Sequence, residues 1–173
     1  MINEDKQKLL QKRAEILARP PEKDVLQKGM KNLLVFILMG KRYALPLINI
    51  VAVTRIQEIT SIPSAPRHIP GIIRRRGESI GLVNLAYFFN AERSGISDSD
   101  FAVIVNAARM RFALQVEDIV GALTVKESDL FSPQGNFDPA QIPYVSSVML
   151  DGLVVLDLES LTQAKGFVAE KSI

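Results

Sequence analysis

Residues 43–54, YALPLINIVAVT, recur with one residue added as FALQVEDIVGALT at 112–124. In both, an aromatic-Ala-Leu opening leads through an apolar position and a polar pair or near-pair to Ile-Val. Each copy follows an apolar run of β-forming residues, LVFIL in the first half and FAVIV in the second. The halves also close alike, LVNL at 82–85 and VLDL at 155–158, each entering a short helical turn. Such a repeat predicts two related lobes. A lobe of about 60 residues buries too little surface to stand alone, so the two are expected to pack on each other.

The strand pattern extends outward from the repeat. LLVFILM is closed by a turn at Gly40-Lys41, followed by RYALPL and INIVAVTRI. Later candidates are GIIRR, SIGLVNL, FAVIVNA, RFALQV, GALTV, YVSSVML and GLVVLDL. Gly, Asp, Pro and Asn clusters separate them at short intervals, the grammar of a barrel or sandwich. Helical spacing returns only after Asn84 and after Asp157, and in the first segment, where Leu10, Ala14 and Leu17 form a stripe. Asn3 caps that segment and Pro20-Pro21 ends it. The expected fold class is mainly β, two small lobes plus an N-terminal helix. Residues 1–29 form the helix and its linker, and 30–165 the domain. Its lobes lie at about 33–89 and 100–160, strand exchange allowed, with a tail at 166–173. The polar loop NAERSGISDSD, 90–100, joins the lobes.

Composition excludes several classes. Hydrophobic residues at 47% and charged residues at 23% describe a globular chain. A net charge of +2 is too small to funnel nucleic acid. The chain has no cysteine, which removes disulfides, thiolate nucleophiles and Cys-based zinc sites. No apolar run reaches the roughly 20 residues of a membrane helix, and the charged MINEDKQKLLQKRAE lacks a signal-peptide core. The expectation is a soluble, cytoplasmic protein.

Catalytic patterns are equally scarce. The one histidine, His68, sits in a turn and has no Cys or second His to share a metal. The serines lack a nucleophile elbow, and the glycines form neither Walker nor Rossmann patterns. Glu117-Asp118 lies at a strand end, where both carboxylates are expected in solvent.

The three arginines of HIPGIIRRRGESIGLVNLAYFF, 68–89, interrupt an apolar run. They could bind phosphates, guard a strand edge or dock a protein. Strand alternation would place Arg74 and Arg76 on one face and Arg75 opposite, with Ile73. Tyr87, Phe88 and Phe89 come too late to stack with them and read as a helical core anchor.

IPSAPRHIPGIIRRRGESIGLVNL resembles the strand region of the CheW-like coupling proteins of bacterial chemosensory systems. The matching positions are Pro63, Pro66, Gly71, Ile72, Ile73, Arg76 and Gly77. VFILMGKRYALPLINI is similar to the family's opening strands and YVSSVMLDGLVVLDLESL to its closing ones, so the resemblance covers roughly 32–162. It implies two five-stranded SH3-like barrels. It also implies a non-catalytic, cofactor-free adaptor that joins the cytoplasmic tips of methyl-accepting chemoreceptors to the regulatory domain of a CheA-type histidine kinase. That domain shares the double-barrel fold, and a groove between lobes receives a receptor helical hairpin. Such an adaptor is recruited to membrane-associated receptor arrays through its partners, without inserting in the membrane or binding nucleic acid. A small-barrel nucleic-acid-binding protein is the competing reading.

By this resemblance the partner-binding residues are Arg76, Gly77, Val51, Val53 and Arg74. Arg76 occupies the family's interface arginine, whereas Arg74 and Arg75 are additions. The family's Pro-Val-Val-Asp-Leu-Arg becomes GLVNLA, with Gly81, Asn84 and Ala86 at the changed positions. Its Val-x-Glu becomes Val51-Ala52-Val53, without the acid. These departures fit a divergent system, such as one controlling surface motility or gene output.

Overall fold

The structure, a computed structural model, describes residues 29–89, 100–133, 141–164 and 167. The helix expected in 1–29, almost all of the connecting loop and most of the tail lie outside the described residues. The strands are β1 (Met30–Leu38), β2 (Lys41–Pro46), β3 (Ile50–Arg55), β4 (Gly71–Arg75) and β5 (Glu78–Asn84), then β6 (Phe101–Ala107), β7 (Met110–Val116), β8 (Asp118–Lys126), β9 (Val145–Val148) and β10 (Val154–Leu156). Each of the ten lies within or overlaps a run read from the sequence. Two short helices, α1 (Leu85–Phe88) and α2 (Leu158–Gln163), begin where expected. Asn84 caps the first by accepting from Tyr87 N–H, and Asp157 the second by accepting from Glu159 and Ser160 N–H.

Two curled five-stranded sheets result. Sheet A runs β8-β1-β2-β10-β9 and sheet B runs β3-β6-β7-β5-β4. Against lobes read at about 33–89 and 100–160 with strand exchange allowed, both sheets draw strands from both ranges. Sheet B spans residues 50–116 without interruption, and sheet A is completed by β8–β10 from the far end of the chain. Each half lends its last three strands across, β3–β5 joining β6 and β7, and β8–β10 joining β1 and β2. Pro46, at the end of β2, has no N–H to extend its own ladder, and a 3-10 turn at Leu47–Asn49 redirects the chain.

The aromatic-Ala-Leu motif now has a physical meaning. On β2, Tyr43 and Leu45 face a core shared by both sheets, while Ala44 faces the interior of sheet A. On β7, Phe112 and Leu114 face that same shared core, and Ala113 the interior of sheet B. The interior of a five-stranded curl is narrow, so its central strand carries alanine there. The large side chains go to the seam between sheets. α1, α2 and Phe167 close the seam: Phe88 meets His68, Phe89, Tyr144 and Phe167 at ring separations of 5.0–5.7 Å.

The repeat reaches smaller features. β3 bulges at Val51, since Ile50 pairs Val105 and Ala52 pairs Ile104. β8 bulges at the equivalent Val120, between the Phe36–Ile119 and Val35–Gly121 pairs. Single bridges then hook each curl shut, Thr60 to Ile72 in sheet B and Phe131 to Val148 in sheet A. The first hairpin turn falls at Met39-Gly40, one residue before the expected position. Both its residues have positive φ, as a two-residue hairpin requires, and Gly40 takes the second place.

Tyr43 and Phe112 are 2% and 1% exposed, equal in burial as in position. Tyr43→Ala and Phe112→Ala are each expected to lower unfolding free energy by about 3–5 kcal/mol in urea melts, the range for a buried aromatic. A loss under about 1 kcal/mol at either would break the equivalence.

Candidate protein-docking surfaces

The β4–β5 hairpin carries the arginine run. Arg74 is exposed and Arg75 half-buried on β4, and Arg75 lies on the side of the buried Ile73, as alternation requires. Arg76 does not share the face of Arg74, because the strand ends at Arg75. Arg76 and Gly77 form the turn itself, at φ 50 and 79. A left-handed pair there matches the twist of the two strands and needs little side chain at its second position. Arg76 projects from the turn, exposed, and none of the three arginines has a side-chain hydrogen bond or ion pair among the described residues.

Gly71 holds this hairpin against the rest of sheet B. Thr60 and Ile72 exchange backbone hydrogen bonds of 2.9 and 2.8 Å. A Cβ on Gly71 would overlap the Thr60 carbonyl and come within 2.8 Å of Ile59 Cγ2. Only glycine permits that approach. Beyond the bridge the two segments part around an open cleft of about 340 Å³, lined by Thr54, Arg55, Gln57, Glu58 and Arg74 among others. The Arg55 guanidinium rests over the Phe101 ring at 5.3 Å.

Val51 and Val53 lie on β3, at the other edge of the sheet order from β4. Val51, the bulge residue, is 39% exposed, and its equivalent Val120 is 41% exposed. Val53 is partly buried against the shared core, opposite Val103, and the equivalent place on β8 is held by half-buried Ala122, opposite Leu34. The structure thus separates the sequence-derived residues into two groups. Arg74, Arg76 and Gly77 share one hairpin, and Val51 and Val53 share one edge strand.

Sequence reasoning missed a buried polar chain beside these surfaces. Asn84 Nδ2 donates to Gln115 Oε1 at 3.1 Å, and Gln115 Nε2 donates to Asp100 Oδ2 at 2.9 Å. All three side chains are at most 3% exposed. The chain explains Asn84 where the resembling family carries Asp. An aspartate would offer Gln115 no donor and would bury a second carboxylate close to Asp100. Ala86, another of the three changed positions, is fully buried in the shared core, so no charge is presented there. Glu117 is half-buried rather than solvated, because its Oε1 accepts from Met39 N–H at 2.9 Å across the first hairpin turn. The only signal for these was polar residues inside apolar strands. His68 is half-buried on Phe88. Among the described residues no three His, Cys, Asp or Glu side chains gather as a metal site, and no helix is long and apolar enough to cross a membrane.

A bulged, exposed edge strand on each of two exchanged sheets defines a double-lobed β scaffold with paired surfaces. Residues 32–166 match the sequence model of the CheW-like domain, and the chain belongs to that family. It is 25% identical to the chemotaxis protein CheW of Treponema pallidum over 141 residues, covering 78% of this chain and 83% of that one. It is 25% identical to the chemotaxis protein CheW of Bacillus subtilis over 146 residues, 79% of this chain and 94% of that one. A chemotaxis protein CheA of Listeria monocytogenes is 31% identical over 121 residues, 68% of this chain but 18% of that protein. The crystal structure of the scaffolding protein TtCheW from Thermoanaerobacter tengcongensis superposes with a TM-score of 0.69 at 25% identity, covering 79% of this chain and 94% of that one.

Gly71→Ala is expected to lose about 2–4 kcal/mol in denaturant melts, overpacking and an unfavourable φ acting together. Gly81→Ala, with no atom within 4 Å of its Cβ, is the control. It should be neutral or stabilise by about 0.4–1 kcal/mol through the unfolded chain.

Proposed function

We propose that this protein is a non-catalytic adaptor that couples chemoreceptors to a CheA-type histidine kinase in a chemosensory signalling complex. The observation that carries this reading is the family match across both sheets, over residues 32–166. The alignment to a CheA protein over a domain-sized stretch adds weight, since a kinase carrying a domain of the same kind can pair with an adaptor edge to edge. Two equivalent edges also suit the task. With Val51 on one sheet and Val120 on the other, a single rigid body can hold two partners. Its action is geometric: a receptor held on one surface fixes how the kinase meets the other. The protein acts in the cytoplasm and reaches receptor arrays through its partners.

In this reading Arg76 and Gly77, with Arg74 beside them, form one contact, and Val51 and Val53 another. The exposed guanidinium of Arg76 orients the partner, while the valines supply apolar contact. The adaptor domain runs over 30–165, with 1–29 an appended helix and linker and 166–173 a tail. Loss of the acid at Val51-Ala52-Val53 and the changes at Gly81, Asn84 and Ala86 support partners from a divergent, non-flagellar system.

Affinity purification of the protein from its own cells, with mass spectrometry, should recover a histidine kinase and a chemoreceptor. Recovery of nucleic acid with a steep salt dependence, and no kinase, would overturn the reading. Arg76→Ala should leave the melting temperature nearly unchanged and weaken the recovered kinase or receptor by about 1–3 kcal/mol in calorimetry. A chain starting at Met30 should keep a single cooperative melt.

A further inference from the structure

We propose that the end of sheet B where the β4–β5 and β6–β7 turns meet docks a carboxylate-bearing segment of a partner protein, with Arg75 and Arg109 joining Arg76 as its guanidinium contacts. This rests on the adaptor reading only in taking the partner to be a protein.

The topology brings the residues together. β5 runs parallel beside β7, Leu82 opposite Ala113, so the turns that start these two strands lie at the same end. An ion pair joins them, Arg111 Nη1 to Glu78 Oε2 at 2.9 Å. Arg75 faces Glu78 in register across β4 and β5. Arg75 and the Arg109 turn are therefore about two strand spacings apart, roughly 10 Å, a distance that a short peptide spans. The Asn49 side chain donates to Asn106 O at 2.9 Å, which brings the 3-10 turn and its Ile48, 73% exposed, to this end as well.

Sheet A provides an internal control. Its Arg42–Asp151 pair, 3.2 Å apart, is the counterpart of Arg111–Glu78. The fold thus keeps one ion pair at both ends. It does not keep the other arginines. Gly40 stands where sheet B has Arg109, and Met149 and Leu150 lie in the connection where sheet B has its arginine hairpin. That hairpin is also the longer, running over 73–80 beyond the bridged Ile72, against 149–153 beyond the bridged Val148. Scaffolding does not require these guanidiniums.

Arg109 also occupies an unfavourable place. Ala108 and Arg109 take φ 49 and 63 in a two-residue turn, although the other two such turns put Gly40 and Gly77 second. Glycine would be sterically easier there. Arg75, Arg76 and Arg109 have no side-chain hydrogen bond or ion pair among the described residues. Arg111 displays the chemistry available, one nitrogen on the Glu78 carboxylate and Nε on Asn106 Oδ1 at 3.0 Å. A guanidinium without such partners has its whole fork available for the two oxygens of one carboxylate. Glu78 and Asn106 interrupt a phosphate track, and a net charge of +2 gives no long-range pull on a polyanion. Arginines beside an exposed isoleucine have the composition of a protein interface.

The test is an NMR titration of the full-length ¹⁵N-labelled protein with hexaglutamate at low salt. Saturable shifts should gather in 74–79 and 106–111. Arg75→Ala and Arg109→Ala should each weaken binding about fivefold, as loss of one partly exposed ion pair does. Lys31→Ala and Lys126→Ala, on sheet A, should leave it unchanged. Arg109→Gly should weaken binding while raising the melting temperature, a combination that a purely structural role would not give. Absence of saturation, shifts spread over both sheets, or an equal effect from Lys31→Ala would overturn the assignment. So would tighter binding of phosphatidylserine vesicles or duplex DNA at the same residues. A kinase that co-purifies although hexaglutamate fails to bind would sink this assignment alone; peptide binding without any kinase partner would sink the adaptor reading alone.

Discussion

On the central strand of each five-stranded curl the buried apolar residue turned to the interior is alanine, and the placing of that strand's large side chains follows from it. Ala44 and Ala113 occupy the middle of the two interiors. Tyr43, Phe112 and their large neighbours must therefore be buried elsewhere, and the only other dry surface is the seam between the sheets. Neither sheet can cover its aromatic face without the other. Exchange of β3–β5 and β8–β10 reinforces this dependence with backbone hydrogen bonds, so the seam and the ladders hold the same two bodies together. The short helices, Phe167 and the aromatic contacts of Phe88 then seal the seam.

Much of this was legible in the sequence because strands declare themselves by runs of β-forming residues between turn residues. Asn84 and Asp157 stand before the two places where helical spacing returns, and each caps its helix by accepting from backbone N–H groups of the first turn. The exchange was not legible in the same way. Alternation tells which face of β3 is apolar, but nothing local says whether β6 or β1 lies beside it. The Asn84–Gln115–Asp100 chain was hidden for a related reason. Its members are 31 and 15 positions apart, and a hydrogen bond between distant residues leaves no spacing to read.

The arginine run shows where local rules stop. Alternation described Arg74 and Arg75 correctly and failed at Arg76, because the strand ends there and the chain turns through positive φ. What distinguishes the hairpin is visible only against its counterpart in sheet A. The pair Arg42–Asp151 and the pair Arg111–Glu78 are the scaffold's own. The arginines beyond them are additions to a plan that works without them, which directs attention to what lies outside the molecule.

The exchanged strands have a consequence for assembly of the fold in time. A break in the backbone between Phe89 and Asp100 would leave β1–β5 on one fragment and β6–β10 on the other. Neither fragment would hold a whole sheet, since each sheet draws two strands from one and three from the other. Sheet A cannot be completed until Val35 has met Gly121, and that meeting waits for most of the chain to emerge during synthesis. Contacts of such long sequence separation slow folding, and each sheet here needs strands from both halves. The molecule is therefore one cooperative unit despite its twofold plan, and two cut halves would be each other's missing template.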